Sequence, residues 1–202
     1  MEWNRQPGSE PIVDLAETYL FAVMWLGWAF YWWVSARNVK ANARSETLAS
    51  RLSHIVPLLI AGMLIWARRV PVPILEERFL PAADWQFWVG AALTAAGLLF
   101  AVWARVHLGR NWSGTVTVKE GHELITSGPY ALDRHPIYTG LLLAFVGSAL
   151  ARGEWRGVLA VVIVLWSFLH KLRIEEHWMR ETFGEAYQSY SQRVSALAPF
   201  IF

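Results

Sequence analysis

Cysteine is absent from the 202-residue sequence, and charged residues are scarce, at 17% of the chain. The first absence excludes disulfides, thiolate metal sites and a cysteine nucleophile. The second argues against an ordinary soluble domain, in which about a quarter of the residues are charged. The formal net charge of +2 is too small to indicate binding of nucleic acid.

Common nucleotide-binding and hydrolase motifs are missing as well. The chain contains no Gly-x-Gly-x-x-Gly, no phosphate-binding loop and no Gly-x-Ser-x-Gly, so a Rossmann-type nucleotide site is not supported. His170 and His177 lie seven positions apart, but no HExxH-type pattern accompanies them. We therefore predict no metal site.

Hydrophobic residues are abundant, at 55% of the chain, and tryptophan occurs 13 times. The apolar residues form five runs, at about 15–34, 52–67, 85–104, 137–151 and 155–171. A helix needs roughly 20 apolar residues to cross a bilayer, and the tryptophans cluster near the ends of the runs, as at membrane interfaces. The sequence therefore predicts an all-α integral membrane bundle with about five transmembrane helices.

The distribution of lysine and arginine predicts the orientation in the membrane. With five crossings, the loops 35–51 and 105–136 share one side with the tail after residue 170, and this side carries twelve of the 18 basic residues. The positive-inside rule places that side in the cytoplasm. We therefore expect the N-terminus outside and the C-terminus in the cytoplasm.

Two polar segments meet on the cytoplasmic side of this topology. The fourth and fifth runs form a hairpin joined only by RGEW, which brings Arg134 and His135 to the same interface as Glu175 and Glu176. Ionisable residues at membrane depth are functional by default. We therefore interpret Arg134 as a site residue rather than a headgroup anchor, and Pro136 as the first residue of a helix.

The tail after the fifth run predicts two consecutive helices. The first continues from the run to Phe183 and ends at Gly184, a residue type typical of helix ends. The second is short and carries Tyr187 and Tyr190 on one face.

Three sequence elements occur in order: LGRNWSGTVTVKEGHELITSGPYALDRHPIYTG, the apolar hairpin, and EEHWMRETFGEAYQSYSQRV. Together they resemble the isoprenylcysteine carboxyl methyltransferase family, which belongs to a wider group of membrane methyltransferases that includes phospholipid methyltransferases. The resemblance covers about residues 105–194. It implies a cytoplasmic pocket for S-adenosylmethionine that the C-terminal helices close.

The resemblance also implies roles for individual residues. Arg134 orients the acceptor, and Glu176 is the first candidate base if the acceptor must lose a proton. Asp133 stands where the family usually has an uncharged residue, and it either pairs with Arg134 or points away. The implied cofactor-binding residues are His122, Leu124, Ile125, Gly128, Tyr130, His135, Pro136, Tyr138, Glu175 and Glu176.

The sequence thus predicts a membrane methyltransferase acting on a lipophilic or lipidated substrate that arrives from the bilayer. A prenylcysteine-type carboxylate is the first acceptor; a phospholipid amine and a small hydrophobic thiol or carboxylate are alternatives. There are two alternative hypotheses. One is an NADPH-dependent membrane reductase, and the other is a non-enzymatic binding or transport subunit. Residues 1–104 are expected to form three transmembrane helices around the substrate region, and residues 105–202 the cofactor loop, the hairpin and the C-terminal helices.

Overall fold

The computed structural model describes residues 11–37, 39–81, 83–113, 115–119, 121 and 123–197. Its elements, in chain order, are α1 Pro11–Ser35, β1 Asn42–Ser45, α2 Leu48–Trp66, α3 Pro73–Glu76, α4 Asp84–Leu108, β2 Thr117–Lys119, α5 Pro136–Arg152, α6 Trp155–Phe183 and α7 Glu185–Ser191. Two 3-10 turns, Gly109–Asn111 and Gly128–Ala131, precede β2 and α5.

The five apolar runs correspond to the five long helices of the described chain, which confirms the predicted helical bundle. Within the described residues, α2, α6 and the segment 84–111 are long and apolar enough to cross a membrane, whereas α5 is apolar but shorter, with 17 residues. Leu26, Leu59 and Leu99 are 63–69% exposed on the outside of the bundle. Such exposure fits a surface that lipid covers.

Helices α4 and α5 approach closely because glycines face each other at two levels. A Cβ atom on Gly90 would lie 2.5 Å from the carbonyl oxygen of Gly147, and one on Gly140 would lie 2.5 Å from that of Gly97. Small residues allow such contact between helices in membranes. The contact fixes the position of α5, which carries several of the predicted site residues.

A methyl group added at this contact is expected to destabilise the bundle. In Gly97→Ala the new Cβ would lie 2.6 Å from the backbone nitrogen of Ala144, so the helices must separate. We expect a lower Tm in detergent, corresponding to about 1–3 kcal/mol. Gly62→Ala is the matched control, because its Cβ meets nothing within 4 Å and alanine favours a helix interior by roughly 0.5–1 kcal/mol. Equal stability of the two variants would contradict this packing.

One short antiparallel ribbon departs from the all-helical prediction. It pairs β1 with β2. Directly after β1, the carboxylate of Glu46 accepts hydrogen bonds from the backbone N–H of Val116 at 3.1 Å and from the Ser50 hydroxyl at 2.7 Å. Strands of four and three residues are too short to carry a periodic hydrophobic signal, so their pairing becomes visible only in the tertiary structure.

The C-terminal segment folds back against the start of α5. Helix α6 ends at Gly184, whose φ is +50°, and α7 follows, which confirms the two predicted helices. The backbone N–H groups of Arg134 and His135 donate to the carbonyl oxygens of Ser195 and Ala196, at 2.8 and 3.1 Å. The loop before α5 and the C-terminal tail therefore lie at the same end of the bundle, as the hairpin topology predicts.

Candidate active site

A cavity of about 310 Å³ lies where α5, α6, the loop before α5 and the C-terminal helix meet. This volume falls in the range of about 300–1,000 Å³ that is typical of small-molecule sites. The loop, α7 and the polar turns of α5 and α6 contribute a polar and aromatic wall. The apolar part of the wall includes Trp28, Trp32, Leu58, Leu141 and Phe168.

Glu175 on α6 contributes a carboxylate that is held in a fixed position. The Tyr138 hydroxyl lies 2.8 Å from both of its oxygens, and His135 Nδ1 lies 3.6 Å from Oε2. The His135 and Tyr138 rings stack with centroids 5.5 Å apart, and Tyr138 stacks on Phe168 at 4.9 Å. The cavity thus combines one anchored negative charge with a continuous aromatic surface.

Arg134 joins the start of α5 to α6 and to the C-terminal segment. Its Nε and Nη2 donate to Glu176 Oε1 at 2.7 and 2.5 Å, and its Nη1 donates to the carbonyl oxygens of Ser191 and Val194. These bonds use four of the five N–H groups of the guanidinium. The other Glu176 oxygen accepts from Arg180 at 2.9 Å. The Arg134 and Glu176 side chains are buried, at 8% and 7% exposure.

Gly128 lets the loop before α5 approach α4. Its φ is +59°, and a Cβ atom would lie 2.7–2.9 Å from the His107 ring, so a side chain here would be strained and would clash. His107 Nε2 lies 2.9 Å from the Ser127 hydroxyl, and the Tyr190 hydroxyl donates to the Tyr130 carbonyl oxygen at 2.6 Å. These contacts fix the loop to α4 and α7 and hold Tyr130 at the cavity.

The structure brings most of the predicted site residues together, while their individual roles stay predictions. Those that line the cavity are Leu124, Ile125, Tyr130, Arg134, His135, Tyr138 and Glu175. Three other predicted residues do not line the cavity but lie next to residues that do. Gly128 is in the loop before α5, Pro136 is the first residue of α5, and Glu176 is paired with Arg134. His122 lies outside the described residues.

Sequence reasoning missed other parts of the wall. Trp28, Trp32, Trp112 and Lys171 also line the cavity, and the Trp32 and Trp112 rings meet edge to face at 5.5 Å. A tryptophan facing a cavity and one facing lipid headgroups give the same signal in a sequence. Lys171 was detectable, because it lies four positions before Glu175 and so on the same face of the helix.

Asp133 does not pair with Arg134 in the structure. The hydrogen bonds of Arg134 go to Glu176 and to backbone carbonyls instead, and Asp133 is buried, at 1% exposure. Burial raises the pKa of the Asp133 carboxyl to about 6, against the lowering effects of the Thr139 hydroxyl and of His135. Asp133 is therefore not a partner of Arg134, which excludes one of the two alternatives left by the sequence.

The buried Asp133 is expected to make the protein less stable as the pH rises from about 4 to about 6. The folded state holds this proton more tightly than the unfolded chain, whose pKa is near 3.8. The resulting stability is present below the unfolded pKa and is lost as the pH rises through the folded pKa. Asp133→Asn removes the titration, so we expect it to be more stable than the wild type at neutral pH, by up to about 3 kcal/mol.

Thermal unfolding of both proteins between about pH 4 and pH 8 measures this difference. The gap in stability should narrow toward pH 4, where Asp133 is protonated in the folded state. A gap that stays constant across the range would contradict the assignment to Asp133.

The sequence matches a known protein family. The family model of phospholipid methyltransferases matches residues 85–186, just over half of the chain. The chain belongs to this family. Protein-S-isoprenylcysteine O-methyltransferase B of Arabidopsis thaliana is 30% identical over 134 residues, 63% of this chain and 68% of the relative. The probable protein-S-isoprenylcysteine O-methyltransferase of Oryza sativa subsp. japonica is 28% identical over 192 residues, 92% and 97% of the two chains.

One solved structure has a fold similar to that of this protein. It is that of a eukaryotic intramembrane Ras methyltransferase, isoprenylcysteine carboxyl methyltransferase, with a TM-score of 0.56 at 22% identity. The match covers 79% of this chain and 55% of the other. The protein is therefore an integral membrane enzyme of the methyltransferase class, with the helical architecture that the sequence predicts.

The family implies use of S-adenosylmethionine, and the cavity residues fit this compound. It carries cationic sulfonium and ammonium groups, a carboxylate and a flat adenine ring. The cavity offers the Glu175 carboxylate for a cation and the His135 ring as a donor, and Leu124 and Ile125 supply apolar surface beside the stacked rings. Each type of chemical group in the compound thus has a matching partner in the lining.

Proposed function

We propose that the protein transfers a methyl group from S-adenosylmethionine to the carboxylate of a lipophilic acceptor of the prenylcysteine type. The observation that carries this proposal is one cavity in which the anchored Glu175 carboxylate and an aromatic wall adjoin an apolar lining. The relatives from Arabidopsis thaliana and Oryza sativa, whose names specify isoprenylcysteine O-methylation, support the acceptor.

Glu175 is assigned to the ammonium group of S-adenosylmethionine, which supplies an electrophilic methyl group on its sulfonium. A carboxylate and an ammonium form strong, charge-assisted hydrogen bonds. The Tyr138 hydroxyl holds Glu175 in place, and His135, which also lines the cavity, is assigned to the carboxylate of the compound. Leu124 and Ile125 provide the apolar slot that a flat ring requires.

The apolar part of the cavity is assigned to the lipophilic tail of the acceptor. Trp28 and Trp32 of α1, Leu58 of α2 and Phe168 of α6 line it, and the outer surfaces of these helices are apolar. We therefore assign the entry of a bilayer-dissolved acceptor to the side of the bundle that these helices form. In this proposal, residues 1–104 shape the substrate region. Residues 105–202 supply the cofactor loop, the hairpin and the C-terminal helices that close the cofactor pocket.

The surroundings of Glu176 favour a carboxylate acceptor over an amine or a thiol. An amine or a thiol must lose a proton, and Glu176 is the candidate base. One of its oxygens accepts two hydrogen bonds from Arg134 and the other accepts one from Arg180, and a carboxylate paired in this way is a weak base. A carboxylate acceptor is already ionised and needs no base. Orienting it toward the methyl group and excluding water then account for most of the rate enhancement. Arg134, which lines the cavity, is assigned to orient this carboxylate.

The proposed orientation places the cavity in the cytoplasm. The loop before α5 and the C-terminal tail lie at one end of the bundle, and this end carries most of the basic residues of the sequence. The positive-inside rule then leaves the N-terminus outside.

Ligand binding and product analysis test the proposal. Protein purified in detergent is titrated calorimetrically with S-adenosylmethionine, S-adenosylhomocysteine and NADPH, and we expect saturable binding of the first two. A labelled methyl group is then followed into S-farnesylcysteine, phosphatidylethanolamine and a hydrophobic thiol, with a base-labile methyl ester expected on the first. Methylation of the amine alone would replace the proposed acceptor, and binding of NADPH alone would indicate a reductase.

A further inference from the structure

Glu123 contributes a second carboxylate to the cavity wall, and the resemblance to known methyltransferases assigns it no role. It lines the cavity together with Leu124 and Ile125, the next two residues of the chain. Its side chain is 70% exposed, whereas that of Glu175 is 21% exposed and makes its contacts with other residues. The cavity therefore carries negative charge in two different surroundings.

Two other segments of the chain position the Glu123 carboxylate. Asn111 ends the 3-10 turn that follows α4, and its side-chain amide donates to Glu123 Oε2 at 3.4 Å. Lys40 follows α1; its ammonium nitrogen lies 3.8 Å from Glu123 Oε1 and donates to the carbonyl oxygen of Gly121 at 2.7 Å. A carboxylate can accept about four hydrogen bonds. These contacts therefore orient Glu123 without using up its capacity as an acceptor.

Asn111 adds an acceptor that lacks a partner. The residue lines the cavity and is 8% exposed. Only the NH2 group of an amide can donate to a carboxylate, so the contact with Glu123 determines which side-chain atom is the oxygen. This oxygen has no hydrogen-bond partner in the part of the chain that the structure describes. Since a buried acceptor without a partner costs free energy, Asn111 and Glu123 together favour a ligand that donates hydrogen bonds.

The place of Glu123 in the chain indicates which part of the methyl donor it meets. In the proposed function, Leu124 and Ile125 provide the slot for the adenine ring, and Glu175 binds the ammonium group. The ribose joins the adenine to the sulfonium, so it must lie next to the adenine slot. It carries two neighbouring hydroxyl groups, and each of them can donate one hydrogen bond.

We infer that Glu123 and Asn111 bind the ribose hydroxyl groups of S-adenosylmethionine. The inference rests on the proposed function and deepens it. A carboxylate is a suitable acceptor for these groups, as in dinucleotide-binding proteins, where an acidic residue accepts from the ribose 2′-hydroxyl. The same negative charge repels a phosphate at that position, so Glu123 disfavours NADPH as a ligand of this cavity.

Binding of matched ligands, measured without turnover, tests this inference. The ligands are S-adenosylhomocysteine and its 2′-deoxy and 3′-deoxy analogues, titrated calorimetrically into wild type, Glu123→Ala and Asn111→Ala. Loss of at least one hydroxyl group should weaken binding to the wild type by about tenfold or more, as for a hydrogen bond to a charged group. In Glu123→Ala the three ligands should bind within about threefold of one another, because no carboxylate is left to lose. Asn111→Ala should show a difference smaller than that of the wild type.

Glu181→Ala is the matched control. Glu181 is also an exposed glutamate that pairs with a basic residue, Arg44 of β1, but it is not among the described residues that line the cavity. This variant should show the full wild-type difference between the ligands. Equal binding of the three ligands to the wild type, or an undiminished difference in Glu123→Ala, overturns the role of Glu123 while the proposed function stands. Failure of folded wild type to bind S-adenosylhomocysteine overturns the proposed function, and this inference with it.

Discussion

Glu175→Gln is expected to weaken the binding of S-adenosylmethionine by about 10-fold to 100-fold. The substitution keeps the shape of the side chain but removes the negative charge that Tyr138 holds in the cavity. An ammonium group brought into the site then loses its ionic partner and stays partly desolvated. Calorimetric titration of the purified variant measures the effect.

Two control variants test whether the effect is specific to Glu175 or arises from any change in the charge of α6. Glu181→Gln removes a charge from an exposed residue of the same helix that pairs with Arg44, and it should bind the donor as the wild type does. Tyr138→Phe keeps the charge and frees the carboxylate, so we expect a loss of only a few-fold. Unchanged affinity in Glu175→Gln would show that the donor's ammonium binds elsewhere.

Arg134→Met is expected to lower the stability of the protein by about 3–5 kcal/mol and to abolish methyl transfer. The substitution leaves the Glu176 carboxylate buried without its main partner, and it removes the donors to the Ser191 and Val194 carbonyl oxygens. Breaking one side of a buried ion pair has this effect because the surviving charge stays desolvated. Thermal unfolding in detergent should show a fall in Tm of about 10 °C or more.

The double variant Arg134→Met/Glu176→Met separates stability from activity. Replacing both members of a buried pair by apolar residues removes the unpaired charge, so much of the lost Tm should return. Methyl transfer should stay absent, because the clamp between α5 and the C-terminal segment is gone. Arg44→Met is the exposed control and should change Tm little, since surface ion pairs contribute little. A double variant no more stable than Arg134→Met would contradict the account of the pair.

Local signals in the sequence determined the helices. Apolar runs of sufficient length predict each long helix, Pro136 marks the start of α5, and Gly184 marks the end of α6. The hairpin between α5 and α6 is short enough for the sequence to predict that Arg134 meets the Glu175–Glu176 pair. These features depend on neighbouring residues or on one tight connection, so a single sequence contains them.

Contacts between distant segments were decided only by the tertiary structure. Glu46 bonds to the backbone of Val116, 70 positions away, and Trp28 turns toward the cavity rather than toward lipid. The two glutamates show the physical reason most clearly. Adjacent residues on a helix point about 100° apart, so the two side chains can have different surroundings. The rotation of α6 in the bundle directs Glu175 to the cavity and Glu176 to Arg134, and that rotation is set by packing across the whole fold.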